Sequence, residues 1–165
     1  MQIRRILYPT DFSEATKVAA NSACELAEQF GAELHVLHVL HDLTSLMPFT
    51  AIALWTEPEH IAEISDEAKR IIADIPDAVW SKGKSVVRKV CVGNVADEIT
   101  TYARQHAIDL IVIGTHGHTS LMHAVLGGIA EKVVRTSDCP VLTIRTKPVP
   151  VMANLPMNLL PPVLD

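Results

Sequence analysis

Four glycines between residues 114 and 128 have the spacing needed to hold a phosphate group. Gly114 and Gly117 follow the apolar run 110–113, and Gly127 and Gly128 open a segment with helical periodicity. Glycine lets the main chain approach a ligand closely, and the first N–H groups of a helix attract an anion. Neither the P-loop motif nor the Gly-x-Gly-x-x-Gly motif is present. Because glycines also suit turns after strands, this stretch alone leaves phosphate binding and plain turn formation as alternatives.

The histidines are the next candidates for chemistry. His116, His118 and His123 lie close together in the sequence after the apolar run and have the atoms to bind a metal ion. No carboxylate completes a ligand set there, so we expect no metal site. His35 and His38 lie an odd number of positions apart in a predicted strand, which places them on opposite faces of the sheet.

No pattern of residues predicts a dedicated enzyme. The Gly-x-Ser-x-Gly motif is absent, and no Ser-His-Asp order is apparent, so we expect no catalytic residues. The three cysteines, Cys24, Cys91 and Cys139, are isolated and lack metal-ligand spacing, which is typical of reduced thiols in a cytoplasmic protein. A reactive role for one of them is the alternative interpretation.

Composition sets wider bounds. The chain has 165 residues, enough for one domain with a core, and is 48% hydrophobic with few aromatic residues. The net charge of −5 argues against nucleic acid as a partner. No apolar run has the length of a membrane span, and the N-terminus leads directly into a strand, so we expect neither a membrane segment nor a signal peptide.

Strands and helices alternate along the chain. Apolar runs predict five strands, and helical spacing of apolar residues predicts four helices between them. The predicted strands are 3–8, 33–40, 85–92, 110–113 and 141–144. Ser13 and Gly31 suit the two caps of the first helix, and Pro58 suits the first turn of the second. This order predicts an α/β fold, a three-layer αβα sandwich with a five-stranded parallel sheet.

A parallel sheet places its ligand beyond the carboxyl ends of the strands, where the strand order reverses. Three segments follow strand ends in the predicted sheet and would meet there: 9–11, 39–41 and 114–117. Their convergence favours a binding site over plain turn chemistry.

Residues 146–165 differ from the rest of the chain. They hold half of the ten prolines together with many aliphatic side chains. Proline excludes a regular helix or central strand, while the apolar content is unusual for a disordered tail. We therefore predict a domain over residues 1–145 and an extended arm over 146–165, which packs on its own domain or on a partner subunit. A frayed end is the alternative.

The sequence resembles the universal stress protein family, in the branch that binds adenosine nucleotides. The resemblance covers residues 2–145 and rests on the segments 6–13, 38–39, 113–117, 126–133 and 139–142. Gly114, Gly117 and Gly127 match the family signature, Gly-x2-Gly-x9-Gly followed by Ser or Thr. The resemblance implies a Rossmann-like, adenine nucleotide alpha hydrolase-like fold and a cytoplasmic, dimeric regulator of the stress response that binds AMP, ADP or ATP.

By that resemblance, Asp11 accepts hydrogen bonds from the ribose and the main chain of Val39 reads the adenine edge. Asp11 has a rival role in initiating the first helix. The loop after the fourth strand and the start of the last helix would cradle the phosphates. The complete nucleotide-binding set is Pro9, Thr10, Asp11, Val39, Ile113, Gly114, Thr115, His116, Gly117, His118, Thr119, Gly127, Gly128 and Ile129.

Two positions depart from the family pattern. Gly128 stands where members carry Ser or Thr, and a hydroxyl bonded to a charged phosphate contributes roughly 1.5–3 kcal/mol. His118 stands where members often carry Arg or Lys, and a neutral imidazole brings less positive charge to phosphate. AMP and ADP therefore stand beside ATP as ligands.

The resemblance also implies a homodimer formed through the last strand, residues 141–144, with the arm extending the interface. Two other functions are kept as alternatives. One is an interaction protein that binds no nucleotide, and the other is a weak ATPase that requires Mg²⁺.

Overall fold

The protein folds around a five-stranded parallel sheet in the order β3-β2-β1-β4-β5. The computed structural model describes residues 2–42, 58–115 and 128–145. The strands are β1 (Arg5–Pro9), β2 (Glu33–His41), β3 (Val86–Gly93), β4 (Leu110–Gly114) and β5 (Val141–Ile144). All five strands lie within about two residues of their predicted positions.

The helices of the described chain are α1 (Glu14–Phe30), α2 (Pro58–Ala73), α3 (Ala78–Ser81), α4 (Val95–Gln105) and α5 (Gly128–Thr136). The prediction missed the one-turn helix α3, which is capped by the Asp77 carboxylate accepting from Trp80 N at 2.8 Å. Four residues are too few to show apolar periodicity. None of the described helices has the length and apolar content required of a membrane span.

The first helix has the predicted caps. The Ser13 side chain accepts from Thr16 N at the start of α1, and Gly31 ends the helix with a φ of +62°. This left-handed conformation suits glycine because it has no Cβ to clash with the following carbonyl. The Gly31 amide donates to the Glu28 carbonyl at 3.2 Å, so the chain turns sharply into β2.

Both faces of the sheet are covered. One apolar cluster packs α1 and α2 against β1, β2 and β4, and includes Tyr8, Ala23 and Ile72. The other packs α4 and α5 against the opposite face, and includes Leu7 and Ile99. The three-layer αβα prediction is therefore confirmed.

The strand order reverses between β1 and β4. The chain moves from β1 outward to β2 and β3, then returns across the sheet to β4 and β5. The β1–β4 pairing joins Ile6 with Leu110 and Leu7 with Ile111. At this reversal the loops after β1 and β4 lead to opposite faces, which leaves space at the carboxyl edge between them.

Candidate functional site at the carboxyl edge

Thr10 is the first residue after β1 and is almost entirely buried, with 6% of its surface exposed. Its N–H donates to the Leu37 carbonyl at 2.9 Å, and its hydroxyl oxygen accepts from Phe12 N at 3.0 Å. The Thr10 and Thr16 hydroxyls are 3.3 Å apart. Because Thr16 donates its only hydroxyl proton to the Ser13 carbonyl, the proton between the two threonines comes from Thr10. The Thr10 hydroxyl thus uses its only proton in a bond to the first turn of α1.

Asp11 lies next, half-buried, in the turn that leads to α1. One of its carboxylate oxygens accepts from Ser13 N at 3.0 Å, and Ser13 is the helix cap. Asp11 therefore shapes the approach to the helix from two residues before the cap.

Phe12 has a positive φ of 65°, which is rare for a residue with a bulky side chain. A left-handed conformation costs roughly 1–2 kcal/mol in an L-residue, so the surrounding contacts must hold it. The Phe12 ring is stacked on the His38 ring, with centroids 4.0 Å apart and planes inclined by 17°. This stack joins the loop after β1 to strand β2.

His38 also bonds to the loop through its ring nitrogen. His38 Nδ1 lies 2.8 Å from the Thr10 carbonyl oxygen, and since a carbonyl only accepts, Nδ1 carries the proton. Burial lowers the pKa of His38, while the Thr10 carbonyl and the Asp11 carboxylate act in the opposite direction. The imidazole is therefore neutral at neutral pH, with its single ring proton on Nδ1.

Val39 presents main-chain polar groups to the same edge. The ladder between β1 and β2 ends at Pro9 and Leu37, while β2 continues beside β3 as far as His41. Leu37 O points toward β1, where it accepts from Thr10 N. Main-chain groups alternate sides along a strand, so the N–H and C=O of Val39 point to the same side of β2 as those of Leu37. Val39 lies beyond the last residue of β2 that pairs with β1. Its side chain is 8% exposed and belongs to the core.

The end of β4 contributes a second wall. Ile113 is in the core, and Gly114 ends the strand beside Ile144 of β5. The next residue, Thr115, is 3% exposed, and both its N–H and its hydroxyl donate to the Ile144 carbonyl, at 3.0 and 3.5 Å. These bonds tie the start of the glycine loop to the last strand.

Helix α5 begins at Gly128, which is exposed. A Cβ built on Gly128 meets no heavy atom of the described residues within 4 Å, so none of them requires glycine here by steric crowding. Ile129 packs in the same cluster as Val39 and Ile113, which seats the helix against the sheet near their strand ends. The first N–H groups of α5 have no intrahelical partners and form the positive end of the helix dipole.

Comparison with known proteins identifies this architecture. A model of the universal stress protein family matches residues 2–145. The chain belongs to the universal stress protein family. Universal stress protein MJ0531 of Methanocaldococcus jannaschii is 31% identical over 143 residues, which cover 86% of this chain and 82% of that relative.

Solved structures of universal stress proteins share the fold. One is the structure of MJ0577, a universal stress protein of Methanocaldococcus jannaschii. It has a TM-score of 0.77 and 29% identity, and the match covers 89% of this chain and 99% of that one. A universal stress protein from Archaeoglobus fulgidus, solved in complex with dAMP, has a TM-score of 0.57 and 20% identity, with 87% and 99% of the chains covered. The predicted family and fold are thus confirmed.

Part of the predicted nucleotide site of this universal stress protein lies in the described chain. The loop 9–11, Val39 and the end of β4 lie at the carboxyl edge, and Gly128 and Ile129 begin the helix beside it. The remaining predicted residues, His116, Gly117, His118, Thr119 and Gly127, lie outside the described residues, as do His123 and the arm 146–165.

The sequence interpretation overlooked Phe12 and His38. Both lie in segments that carry the family resemblance, but neither was predicted to be a site residue. His35 and His38 are on opposite faces of the sheet as predicted, with His35 contacting Tyr102 of α4 and His38 contacting Phe12. The signal available was an aromatic residue directly after the Pro-Thr-Asp segment and a histidine directly before Val39. Periodicity alone does not show that these two meet.

Among the described residues, no group of three His, Cys, Asp or Glu side chains has the arrangement of a metal site. Cys24, Cys91 and Cys139 are free. Burial raises the pKa of the Cys24 and Cys91 thiols to about 11, so neither is a thiolate at neutral pH. Since the thiolate is the reactive form, both are poor nucleophiles.

A second polar group lies at the other end of β2. His35, 3% exposed, contacts Tyr102 Oη through Nδ1 and a Glu33 carboxylate oxygen through Nε2, both at 2.9 Å. Ser85 also donates to the Glu33 carboxylate, at 2.5 Å. The ring of His106 stacks on Tyr102 at 4.0 Å. These contacts are buried only at His35 and Tyr102, lie at the opposite end of β2 from Val39, and belong to the packing between β2 and α4.

Proposed function

We propose that this universal stress protein binds an adenine nucleotide at the carboxyl edge of its sheet and acts as a cytoplasmic regulator of the stress response. The observation that carries the proposal is the direction of the Val39 main chain. Its N–H and C=O point past the end of β1, and a donor beside an acceptor is what the edge of adenine pairs with. The apolar surroundings of Val39 and Ile113 suit a flat base.

The other parts of the proposed site match the rest of a nucleotide. Asp11 offers carboxylate acceptors for ribose hydroxyls from a turn held by its bond to Ser13 N. The N-terminus of α5 offers amides and a positive dipole for phosphate. The dAMP complex of the protein from Archaeoglobus fulgidus supports an adenine nucleotide as the ligand class.

Calorimetric titration with AMP, ADP and ATP, each with and without Mg²⁺, tests the proposal. We expect saturable binding of AMP, with ATP weaker because position 128 has no hydroxyl to donate to a phosphate. Protein that is folded, freed of carried-over ligand and yet gives no heat with any of the three would contradict it. The interaction protein without nucleotide would then be the better description.

Gly128→Ser is the matched variant for phosphate preference. The position is exposed, and a serine there displaces none of the residues that the structure describes. We expect it to strengthen ATP binding relative to AMP by about tenfold, the effect of one hydrogen bond to a charged group. Gly128→Ala is the control, since it adds the Cβ without the hydroxyl.

We further propose a homodimer through the outer edge of β5, extended by the arm 146–165. β5 is the last strand of the sheet and pairs with β4 on one side. Its Leu142 side chain is 39% exposed. Pairing two such edges would satisfy main-chain groups and cover apolar surface together.

A further inference from the structure

The peptide between Thr10 and Asp11 is held in place by a side chain from another strand. His38 Nδ1 donates to the Thr10 carbonyl, 28 residues earlier in the chain, at 2.8 Å. Because a peptide unit is planar, fixing this carbonyl fixes the orientation of the whole unit, including the bond to the Asp11 Cα. The direction in which Asp11 leaves the main chain thus depends on His38.

His38 is also the residue directly before Val39. Its side chain reaches toward α1 and the loop after β1, where it stacks on Phe12. The main-chain groups of the following residue point past the end of β1. Two adjacent residues of β2 therefore connect the Asp11 turn to the main chain that is proposed to read the base.

We propose that His38 is a positioning residue for the nucleotide, because its donated hydrogen bond sets the Asp11 carboxylate at a fixed distance from the Val39 main chain. The inference rests on the proposed function and adds a residue to it. Ribose and base are joined by one covalent bond in a nucleoside, so Asp11 and the Val39 main chain must lie a suitable distance apart for one ligand to reach both. Preorganised placement avoids the cost of ordering the loop on binding.

The roles of the donor and of the stacked ring are separable by substitution. His38→Asn places an amide N–H near the position of Nδ1, whereas His38→Gln places it farther out, near Nε2. His38→Phe keeps an aromatic ring against Phe12 and removes the donor. Each variant is titrated with AMP, and its thermal unfolding is followed in parallel.

We expect His38→Asn to bind AMP within about threefold of the wild type and the other two variants to bind about tenfold more weakly, the effect of one hydrogen bond. A residue that only stabilises the fold would change the unfolding temperature without this order of affinities. AMP binding by His38→Phe as tight as that of the wild type would overturn the proposal.

Nitrogen NMR of the histidine rings in the free protein gives a test that needs no ligand. The proposal requires the His38 proton on Nδ1 at neutral pH, and a proton on Nε2 alone would overturn it. If the wild type binds no nucleotide, the proposed function fails, while the ring spectrum still decides whether His38 holds the loop. If the wild type binds AMP and all three variants bind equally well, only the positioning role fails.

Discussion

At the scale of single residues, Asp11 has two roles that one substitution separates. Asp11→Asn retains an oxygen that accepts from Ser13 N, so the turn into α1 persists. It removes the negative charge, and hydrogen bonds to charged groups contribute roughly 1.5–3 kcal/mol. We therefore expect AMP affinity to fall by about tenfold or more, with little change in unfolding temperature.

Ser13→Ala is the control for Asp11. It removes the cap of α1 and should lower the free energy of unfolding by about 1 kcal/mol. AMP affinity should stay near the wild-type value, because the Ser13 hydroxyl acts on the helix. If Asp11→Asn bound AMP as tightly as the wild type, Asp11 would act only as a helix-initiating residue.

Residue contacts could be predicted from the sequence only where they are local. The Ser13 and Gly31 caps depend on neighbours within a few positions, so residue type was sufficient. The His38–Thr10 bond joins distant segments and depends on which ring nitrogen carries the proton. The orientation of the Val39 main chain depends on where β1 stops pairing, which the apolar pattern does not reveal.

At the scale of elements, the outer edge of β5 can be altered without damage to the sheet. The carbonyls of Pro140 and Ile144 accept from Ile111 N and Thr115 N, so every second residue of β5 faces β4. Thr143 has the other parity, and its N–H points to the outer edge of the sheet, away from β4. Thr143→Pro therefore removes an outward donor and keeps the inner ladder.

If the proposed dimer forms through β5, light scattering or sedimentation should find the wild type dimeric and Thr143→Pro folded and monomeric. Leu142→Pro is the contrasting variant, because it removes an inward donor and should destabilise the fold itself. A folded Thr143→Pro that remains dimeric would place the interface elsewhere, and removal of residues 146–165 would then test the arm.

The positions of the long elements followed from apolar runs and helix signals because the core selects those patterns directly. The predicted first strand is 3–8, whereas β1 extends to Pro9, which is its last residue. Proline lacks the N–H, but its carbonyl can still take part at a strand end. The short helix α3 depends on the local cap at Asp77 rather than on periodicity.

At the scale of the whole molecule, buried His35 links folding to pH. Burial lowers its pKa, and the Glu33 carboxylate opposes this shift. In the unfolded chain this histidine binds a proton near pH 6.5, whereas in the folded chain it binds one only at lower pH. The free energy of unfolding should therefore fall as the pH decreases below about 7. The groups facing the ring are Glu33, Tyr102 and His106, with Arg5 beside Glu33.

The fall should not exceed about 1.4 kcal/mol per pH unit for one histidine. Hydrogen bonds from Ser85 and His35 lower the pKa of Glu33, so its contribution is lost only in more acidic solution. Urea unfolding between pH 5.5 and 7.5 measures the dependence. His35→Gln should reduce it, and the exposed His41→Gln serves as control. If His35→Gln had the same pH dependence as the wild type, His35 would not be its source. Burial also lowers the pKa of His38, so we expect His38 to account for the pH dependence that persists in His35→Gln.

The place of β1 in the centre of the sheet has a consequence for synthesis. Its neighbour β4 lies about a hundred residues later in the chain, and the Asp109 carboxylate accepts from Arg4 N and Arg5 N at 2.8 and 2.9 Å. Closing so long a loop is slow compared with forming neighbouring pairs. On the ribosome, β1 emerges first but cannot pair with β4 until most of the chain has been made, and the carboxyl edge is incomplete until then. A nascent chain with residues up to 109 outside the ribosome should therefore contain β1–β2–β3 and lack the proposed nucleotide site.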